Sequence, residues 1–206
     1  SAKNVERIKE LIRLGFNDWA RWELFEIEKK TQNKDVLKSL LGEYEKVEAW
    51  NRSSYISEVY LGKIDKFGQY MFPQAYSADV NEASKTFSIP RSLIWGIMRQ
   101  ESHYKKDALS PVGAMGLMQV MPNKSRKIAE LLGDNNFQAK DLFLPKVGIR
   151  YGAKYLQRLS IRFNKSLPLV AAAYNAGPHR VNTWLNSFGN LGADEFIEHI
   201  PFSETR

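Results

Sequence analysis

The chain contains no cysteine among its 206 residues. That absence excludes a disulfide framework, a thiolate zinc site and a cysteine nucleophile, and it says little about the cellular compartment. No apolar run approaches the roughly 20 residues that cross a membrane, and the first ten residues, SAKNVERIKE, lack the apolar core of an export signal. Strand signals are almost absent as well. These features predict an all-α protein with at most a short β element near residues 110–120.

The composition is that of a folded protein. Hydrophobic residues make up 43% of the chain and charged residues 26%, which is typical of soluble domains. The formal net charge of +7 favours a polyanionic partner, which could be nucleic acid, an anionic membrane or an acidic cell wall. Charge alone does not choose among these partners.

Helical periodicity covers the N-terminal third of the chain. Apolar spacing predicts helix over residues 3–30, with a break at Gly15 and a cap at Asn17-Asp18. Further helices are predicted over 34–49 and 52–64. A single unit of this size cannot cover its own apolar face, so we expect it to pack on neighbouring helices or on a second domain.

Three aromatic side chains of this segment, Trp19, Trp22 and Phe25, are candidates for its core. Aromatic residues dominate packing energetics, and we therefore favour core positions over a ligand-binding platform.

A connection is predicted at 68–76, where Gly68 and Pro73 interrupt the helical pattern. Pro90 suits the first turn of the helix that follows it. Periodicity and turn signals predict the remaining helices at 79–87, 91–102, 125–132, 148–163 and 169–176, with another beginning at 181–185.

The central helix carries a carboxyl group on its apolar face. Ile94 and Met98 lie in the same helical register as Glu101, so the spacing turns a carboxylate toward the buried side. Burial disfavours the charged form and raises the pKa, which leaves a proton donor near neutral pH. The alternative is that Glu101 lies at the edge of the stripe and pairs with Arg99 or Lys105.

A glycine-containing loop follows this helix. Two glycines between Ser110 and Gln119 permit tight turns that would return both polar side chains toward Glu101. The Glu101-Ser102 pair, the run SPVGAMGLMQVMP, the later AYNAG at 173–177 and the final IPFSETR together resemble the catalytic domain of the soluble lytic transglycosylases. These are lysozyme-like enzymes that cleave bacterial peptidoglycan.

The resemblance implies two parts. Residues 1–67 are similar to the superhelical repeats that precede the catalytic domain in the large soluble members. Residues 68–206 would form the lysozyme-like domain itself. The family's domain usually continues into another helix, so the chain is expected to be truncated at its C-terminus.

The same resemblance makes Glu101 the one catalytic carboxylate. It would protonate the glycosidic oxygen and then act as base on the sugar's own 6-hydroxyl, which gives a 1,6-anhydromuramic acid end. The substrate's acetamido oxygen would stabilise the anomeric carbon. Ordinary glycosidases use two carboxylates, but the next acid after Glu101 is Asp107, on a lysine-rich segment.

The residues expected to bind substrate are polar or soft groups of the matching motifs. They are Ser110, Met118, Gln119, Met121, Tyr174, Asn175 and Glu204. Structural alternatives stay open for four of them: a turn at Ser110, core packing at Met121, a buried tyrosine at Tyr174 bonded to backbone, and an ion pair at Glu204.

No motif indicates a metal or cofactor, because His103, His179 and His199 show no ligand spacing. Ser102 lacks a nucleophile elbow. The resemblance implies the peptidoglycan glycan strand as partner rather than nucleic acid, and it also implies periplasmic or cell-envelope residence. The alternatives are a hydrolase like goose-type lysozyme and a non-catalytic module that binds cell wall or nucleic acid. The oligomeric state is not indicated.

Overall fold

The computed structural model describes residues 2–62 and 64–206. That part of the chain is built from twelve α-helices, with one π-helical segment at Ser57–Leu61 and one 3-10 segment at Ala139–Phe143. In chain order the helices are α1 (Ala2–Arg13), α2 (Asn17–Lys29), α3 (Lys34–Lys46), α4 (Trp50–Ile56), α5 (Ile64–Met71), α6 (Ser77–Phe87), α7 (Arg91–Ser102), α8 (Pro122–Leu132), α9 (Pro145–Arg162), α10 (Leu167–Ala176), α11 (Pro178–Phe188) and α12 (Ala193–Glu198). The all-α prediction is confirmed.

Local sequence signals set many of these helix ends. Asn33 caps α3 by accepting hydrogen bonds from the amides of Asp35 and Val36 at 2.9 and 3.3 Å. Four helices, α8 to α11, begin with a proline in the first two positions, where the missing amide hydrogen costs nothing. Gly133 ends α8 in the left-handed conformation, with φ of 67°.

The buried side chains form two clusters. The first joins α1 to α4 and the π-helical segment, with Phe67 and Tyr70 of α5 packed against it. The second extends from Ala75 to Ile200 and contains the apolar faces of α6 to α12. Helix α9 lies at the centre of the second cluster, because it packs against α6, α7, α8 and α10.

Several predicted boundaries were wrong. The residues from Gly68 to Met71 are helical rather than a connection, since they complete α5, and the link is limited to Phe72–Tyr76. The helix expected over 52–64 changes to π-helix at Ser57 and ends before Gly62, which has a positive φ. Asn17 is the first residue of α2 rather than its cap. Sequence analysis also missed the short helix α12.

The short β element is present in reduced form. Met115 pairs with both Leu109 and Val120 in isolated antiparallel bridges. The two backbone hydrogen bonds between Met115 and Val120 measure 3.1 and 3.2 Å. The loop is therefore a folded-back hairpin-like turn, as the glycine spacing indicated.

The aromatic side chains of α2 are not in the core of the described residues. Trp19 and Trp22 are 63% and 58% exposed, and Phe25 is 42% exposed, so the predicted core positions were wrong. The buried positions of α2 are instead Ala20, Leu24 and Glu28. In the part of the chain that the structure describes, no helix is long and apolar enough to cross a membrane.

A buried polar network holds the N-terminal helices together. The Glu28 carboxylate is 6% exposed; it accepts a hydrogen bond from the Tyr44 hydroxyl at 2.6 Å and forms an ion pair with Arg52. The Arg52 guanidinium also lies against the rings of Phe25 and Tyr55, 5.4 and 4.8 Å from their centroids. Removing one partner of such a pair leaves a buried charge without compensation.

We predict that Arg52→Ala lowers the stability of the protein by about 3 kcal/mol, because the Glu28 carboxylate loses its cation. For a chain of this size that corresponds to a fall in the thermal midpoint of roughly 6–12 °C, measured by circular dichroism. The matched control is Arg13→Ala, since Arg13 pairs with Glu10 on the surface, where ion pairs contribute little. Equal midpoints for the two variants would contradict the prediction.

Candidate active site

Helix α7 presents Glu101 at the end of its apolar stripe. Ile94, Ile97 and Met98 are buried in the second cluster, and Glu101, one turn further, is half-buried. The helix stops at Ser102, and His103 takes a left-handed conformation with φ of 49°. The chain therefore turns away immediately after the carboxyl group.

Ser102 fixes the loop against this helix end. Its hydroxyl oxygen lies 3.0 Å from the carbonyl oxygen of Met98 and 2.8 Å from that of Leu117. The first contact lies within α7 and the second reaches the glycine-containing loop. Ser102 thus ties the loop to the last turn of α7, and the structure gives its hydroxyl a positioning contact rather than an activating base.

Gly116 allows the loop to pack closely on the following segment. Its φ is +75°, and a Cβ atom placed there would overlap the carbonyl oxygen of Leu142. The Gly116 amide also donates to the carbonyl of Ala108 at 2.8 Å. Both the backbone conformation and the contact require glycine at this position.

A cavity of about 180 Å³ opens beside Glu101. Residues from α7, the loop, α8, α9 and α10 line this cavity, which we call the Glu101 cleft: Glu101, Val112, Ala114, Gln119, Val120, Met121, Lys124, Tyr155, Tyr174 and Asn175. A second cavity, of about 450 Å³, shares Glu101 and Asn175 with the cleft and is also lined by Glu204. Glu101 therefore lies between two open spaces.

The pKa of Glu101 is raised to about 7. Burial is the largest cause because it disfavours the charged form, and the negative charge of Glu204 adds to the increase. Lys124 acts in the opposite direction. The alternative in which Glu101 pairs with Arg99 is not seen, because the Arg99 guanidinium pairs with Glu58 at 3.0 Å. Near neutral pH a substantial fraction of Glu101 is thus protonated and able to donate.

Two of the seven predicted substrate-binding side chains are committed to other contacts. Met118 is fully buried, and its side chain lies where a Cβ atom on Gly152 would clash, so the predicted thioether contact with a sugar is not available to it. The Ser110 hydroxyl accepts a hydrogen bond from the Ala114 amide at 2.9 Å and does not line the cleft. That geometry corresponds to the turn alternative.

Tyr174 lines the cleft but donates its hydroxyl hydrogen to the carbonyl of Met118 at 2.7 Å. Its ring is 5.3 Å from that of Tyr155. Burial raises the Tyr174 pKa well above the ordinary tyrosine value, and the charges of Glu101 and Tyr155 raise it further. The structure thus shows the buried tyrosine, bonded to backbone, that was one of the two alternatives. Tyr174 is also close enough to Glu101 for the Glu101 charge to affect its pKa.

Gln119, Met121 and Asn175 line the cleft together with Glu101. The Gln119 side-chain amide uses both hydrogens, on the carbonyls of Gly116 at 2.9 Å and Ala108 at 3.1 Å. The carbonyl oxygen of that side chain is thereby oriented by the loop. Asn175 accepts a hydrogen bond from the Thr205 hydroxyl, which holds the C-terminal segment beside α10.

The cleft also contains two polar side chains that sequence analysis missed, Lys124 and Tyr155. Lys124 lies in the first turn of α8, with its ammonium group 4.7 Å from the centroid of the Tyr155 ring. A lysine in a first turn and a tyrosine within a long helical stripe carry no sequence signal of their own. Among the side chains that the structure describes, no three His, Asp or Glu residues converge as metal ligands.

Solved structures share this fold. The chain superimposes on the 70 kDa soluble lytic transglycosylase of Escherichia coli with a TM-score of 0.82 and 33% identity, covering 98% of this chain and 32% of that one. An inactive glutamate-to-glutamine variant of lytic transglycosylase Slt from Pseudomonas aeruginosa superimposes with a TM-score of 0.77 and 31% identity. The match covers 100% of this chain and 34% of that one. The fold is therefore the all-α, lysozyme-like transglycosylase fold.

Sequence comparison gives the family. The transglycosylase SLT domain profile matches residues 79–197, and the chain belongs to that family. It is 34% identical over 207 aligned positions to the soluble lytic murein transglycosylase of Escherichia coli strain K12, covering 98% of this chain and 31% of the relative. The membrane-bound lytic murein transglycosylase C of Mannheimia succiniciproducens is 36% identical over 111 positions, covering 50% and 31%. The chain spans about a third of the length of these relatives.

We predict that Gly116→Ala disrupts the loop more than Gly113→Ala does. Both glycines have positive φ, but a Cβ atom meets backbone only at Gly116, while the space around Gly113 is open. The Gly113 variant should lose about 1–2 kcal/mol from its backbone conformation alone. The Gly116 variant should lose more and should also lose catalytic activity, because the loop can no longer approach Leu142. Equal losses in thermal unfolding would show that the close contact does not matter.

Proposed function

We propose that this chain is the catalytic part of a peptidoglycan lytic transglycosylase. The proposed reaction cleaves the β-1,4 bond between N-acetylmuramic acid and N-acetylglucosamine without water and leaves a 1,6-anhydromuramic acid end. The observation that carries the proposal is the half-buried Glu101 carboxyl, whose pKa is raised to about 7 at the junction of two cavities. A single group with that pKa can serve as acid and as base near neutral pH.

The proposed sequence of proton transfers uses Glu101 twice. The protonated carboxyl first donates to the glycosidic oxygen as the bond from that oxygen to the anomeric carbon breaks. The resulting carboxylate then takes the proton of the 6-hydroxyl as that oxygen bonds to the same anomeric carbon. Glu101 returns to its starting state, and the acetamido oxygen of the substrate stabilises the positive charge between the two steps.

The cleft supplies groups that suit an N-acetylated sugar. The oriented carbonyl oxygen of Gln119 can accept a hydrogen bond from a hydroxyl or acetamide N–H. Asn175 adds a second side-chain amide to the lining of the cleft, and Met121 adds an apolar surface. We propose these three as substrate contacts, with Tyr174 as a support through its bond to Met118.

The second cavity suggests where attached groups lie. Glu204 and Arg206 line it next to Glu101 and Asn175, so a peptide carried by the muramic acid could reach the C-terminal segment. We keep Glu204 as a proposed contact for the peptide part of the substrate. Its carboxylate is also the second acid that a water-using hydrolase would need, which makes the products of cleavage the decisive observation.

We further propose that the two buried clusters correspond to two functional parts. The helical segment would end at Met71 rather than at residue 67, because Phe67 and Tyr70 pack on the first cluster. The catalytic part would then begin after Phe72. Since peptidoglycan lies in the cell envelope, we propose periplasmic or envelope residence for the protein.

We predict that Glu101→Gln lowers the rate of peptidoglycan cleavage at least about 100-fold, because the amide can neither donate nor accept the transferred proton. The measurement is mass spectrometry of soluble fragments from purified peptidoglycan. Wild-type protein should release muropeptides with anhydro ends, which are one water lighter than reducing ends. Co-sedimentation with intact sacculi should show that the variant still binds.

The other outcomes discriminate between the alternatives. Reducing ends from the wild-type protein would assign a hydrolase in place of the transglycosylase. Binding without cleavage by either protein would assign a binding module.

We predict that Glu204→Gln moves the alkaline limb of the pH profile of kcat/KM to lower pH. The Glu204 charge raises the Glu101 pKa, so its removal lowers that pKa and the protonated acid is lost earlier as pH rises. The control is Glu195→Gln, which removes the same charge from an exposed residue of α12 that lines neither cavity. An unchanged alkaline limb would show that Glu204 does not act on Glu101.

A further inference from the structure

A third cavity, of about 380 Å³, adjoins the Glu101 cleft, with which it shares Lys124 and Tyr155. We call it the basic groove. Every charged residue that lines it is a cation, and the remaining lining residues give it an apolar floor. The cations are Lys124, Lys127, Arg158 and Arg162, and the floor consists of Ile128, Tyr155, Leu159 and Pro178.

Helix α9 supplies two of these cations as part of a continuous basic stripe. Its sequence places basic residues at every fourth position and contains no acidic residue: Lys146, Arg150, Lys154, Arg158 and Arg162. Like charges at i, i+4 spacing face the same side of a helix and destabilise it. The stripe therefore needs negative charge from elsewhere.

Part of that charge comes from within the protein, at the first half of the stripe. Lys146 forms an ion pair with Glu82 of α6 at 3.1 Å, and Arg150 lines a small pocket with Glu82 and Asp79. Lys154 has neutral partners, because it contacts Gln157 at 2.7 Å and lies over the Phe87 ring. Two of the five cations therefore lie beside carboxylates of α6.

The second half of the stripe, Arg158 and Arg162, has no carboxylate partner among the described side chains. The ion pairs among the described side chains include neither Arg158 nor Arg162, nor the two groove lysines of α8. Arg158, Arg162 and Lys127 are all exposed. The groove thus concentrates on an apolar floor four cations that form no ion pair among the described side chains, which suits a ligand that carries carboxylates on an aliphatic backbone.

We propose that the basic groove binds the carboxylate groups of a second peptide of the glycan, carried by a different muramic acid from the one whose peptide reaches Glu204, and that it makes the enzyme prefer strands with acidic peptides over neutral or bare strands. This inference rests on the proposed function. Its structural basis is continuity: Lys124 and Tyr155 line both spaces, so a substituent near the scissile bond extends directly into the groove.

The test compares two double variants of α9 that remove the same charge at the same spacing. The groove variant, Arg158→Gln with Arg162→Gln, removes two cations from the groove. The paired-half variant, Lys146→Gln with Arg150→Gln, removes two cations from the half of the stripe that lies beside the carboxylates of α6. Three substrates are used: glycan strands with free peptide carboxylates, the same strands with those carboxylates converted to amides, and strands from which the peptide has been removed. KM and kcat are measured for each combination at low and moderate salt.

We expect the groove variant to raise KM about three- to tenfold on the carboxylate strands alone, with kcat unchanged. The effect should shrink as salt increases, because exposed charges are screened. The paired-half variant should behave as the wild type on all three substrates. An unchanged KM on carboxylate strands, or an equal rise on all three substrates, would overturn the proposal.

Failure of the proposed function gives a different result. If the wild-type protein cleaves none of the strands, the transglycosylase proposal fails, but this result does not decide the groove proposal. Co-sedimentation of the same two variants with carboxylate and amidated strands then still tests the groove, because binding does not need cleavage. Weaker binding of the groove variant to carboxylate strands only would support the groove, and equal binding of both variants would reject it.

Discussion

The site depends on the burial of one carboxyl group at the end of a helix. Glu101 follows the apolar stripe of α7 by one turn, so the packing that stabilises this helix also removes the carboxyl from water. Ser102 then joins the helix end to Leu117 of the loop. Because Ser102, the neighbour of the acid, both ends the helix and holds the loop, the position of the acid and the shape of the cleft are set together.

The sequence predicted those features that depend on neighbours along the chain. Helical spacing placed Glu101 on the buried side of α7, and the raised pKa has the cause expected from that position. The proline starts of α8 to α11 and the turn at Gly116 are equally local. Such signals were sufficient for the fold class and for the position of the proposed acid.

The features that were missed depend on contacts between distant segments. Met118 appeared available because its motif neighbours are, but the close approach of Gly152 on α9 encloses its side chain. Lys124 and Glu204 act on Glu101 from α8 and from the C-terminal segment, and no periodic pattern reports that convergence. The exposed aromatics of α2 were misassigned for the same reason: helical spacing shows that residues share a face without showing what covers it.

The two charges near Glu101 connect the proposed acid to the basic groove. Glu204 raises the Glu101 pKa and Lys124 lowers it, while burial has a larger effect on that pKa than either charge. Lys124 is also the first cation of the groove. Lys124 therefore belongs both to the surroundings of the proposed acid and to the lining of the groove. The space proposed to select the substrate and the space proposed to cleave it meet at this one residue, so a change at Lys124 would affect both, whereas Arg158 and Arg162 line the groove alone.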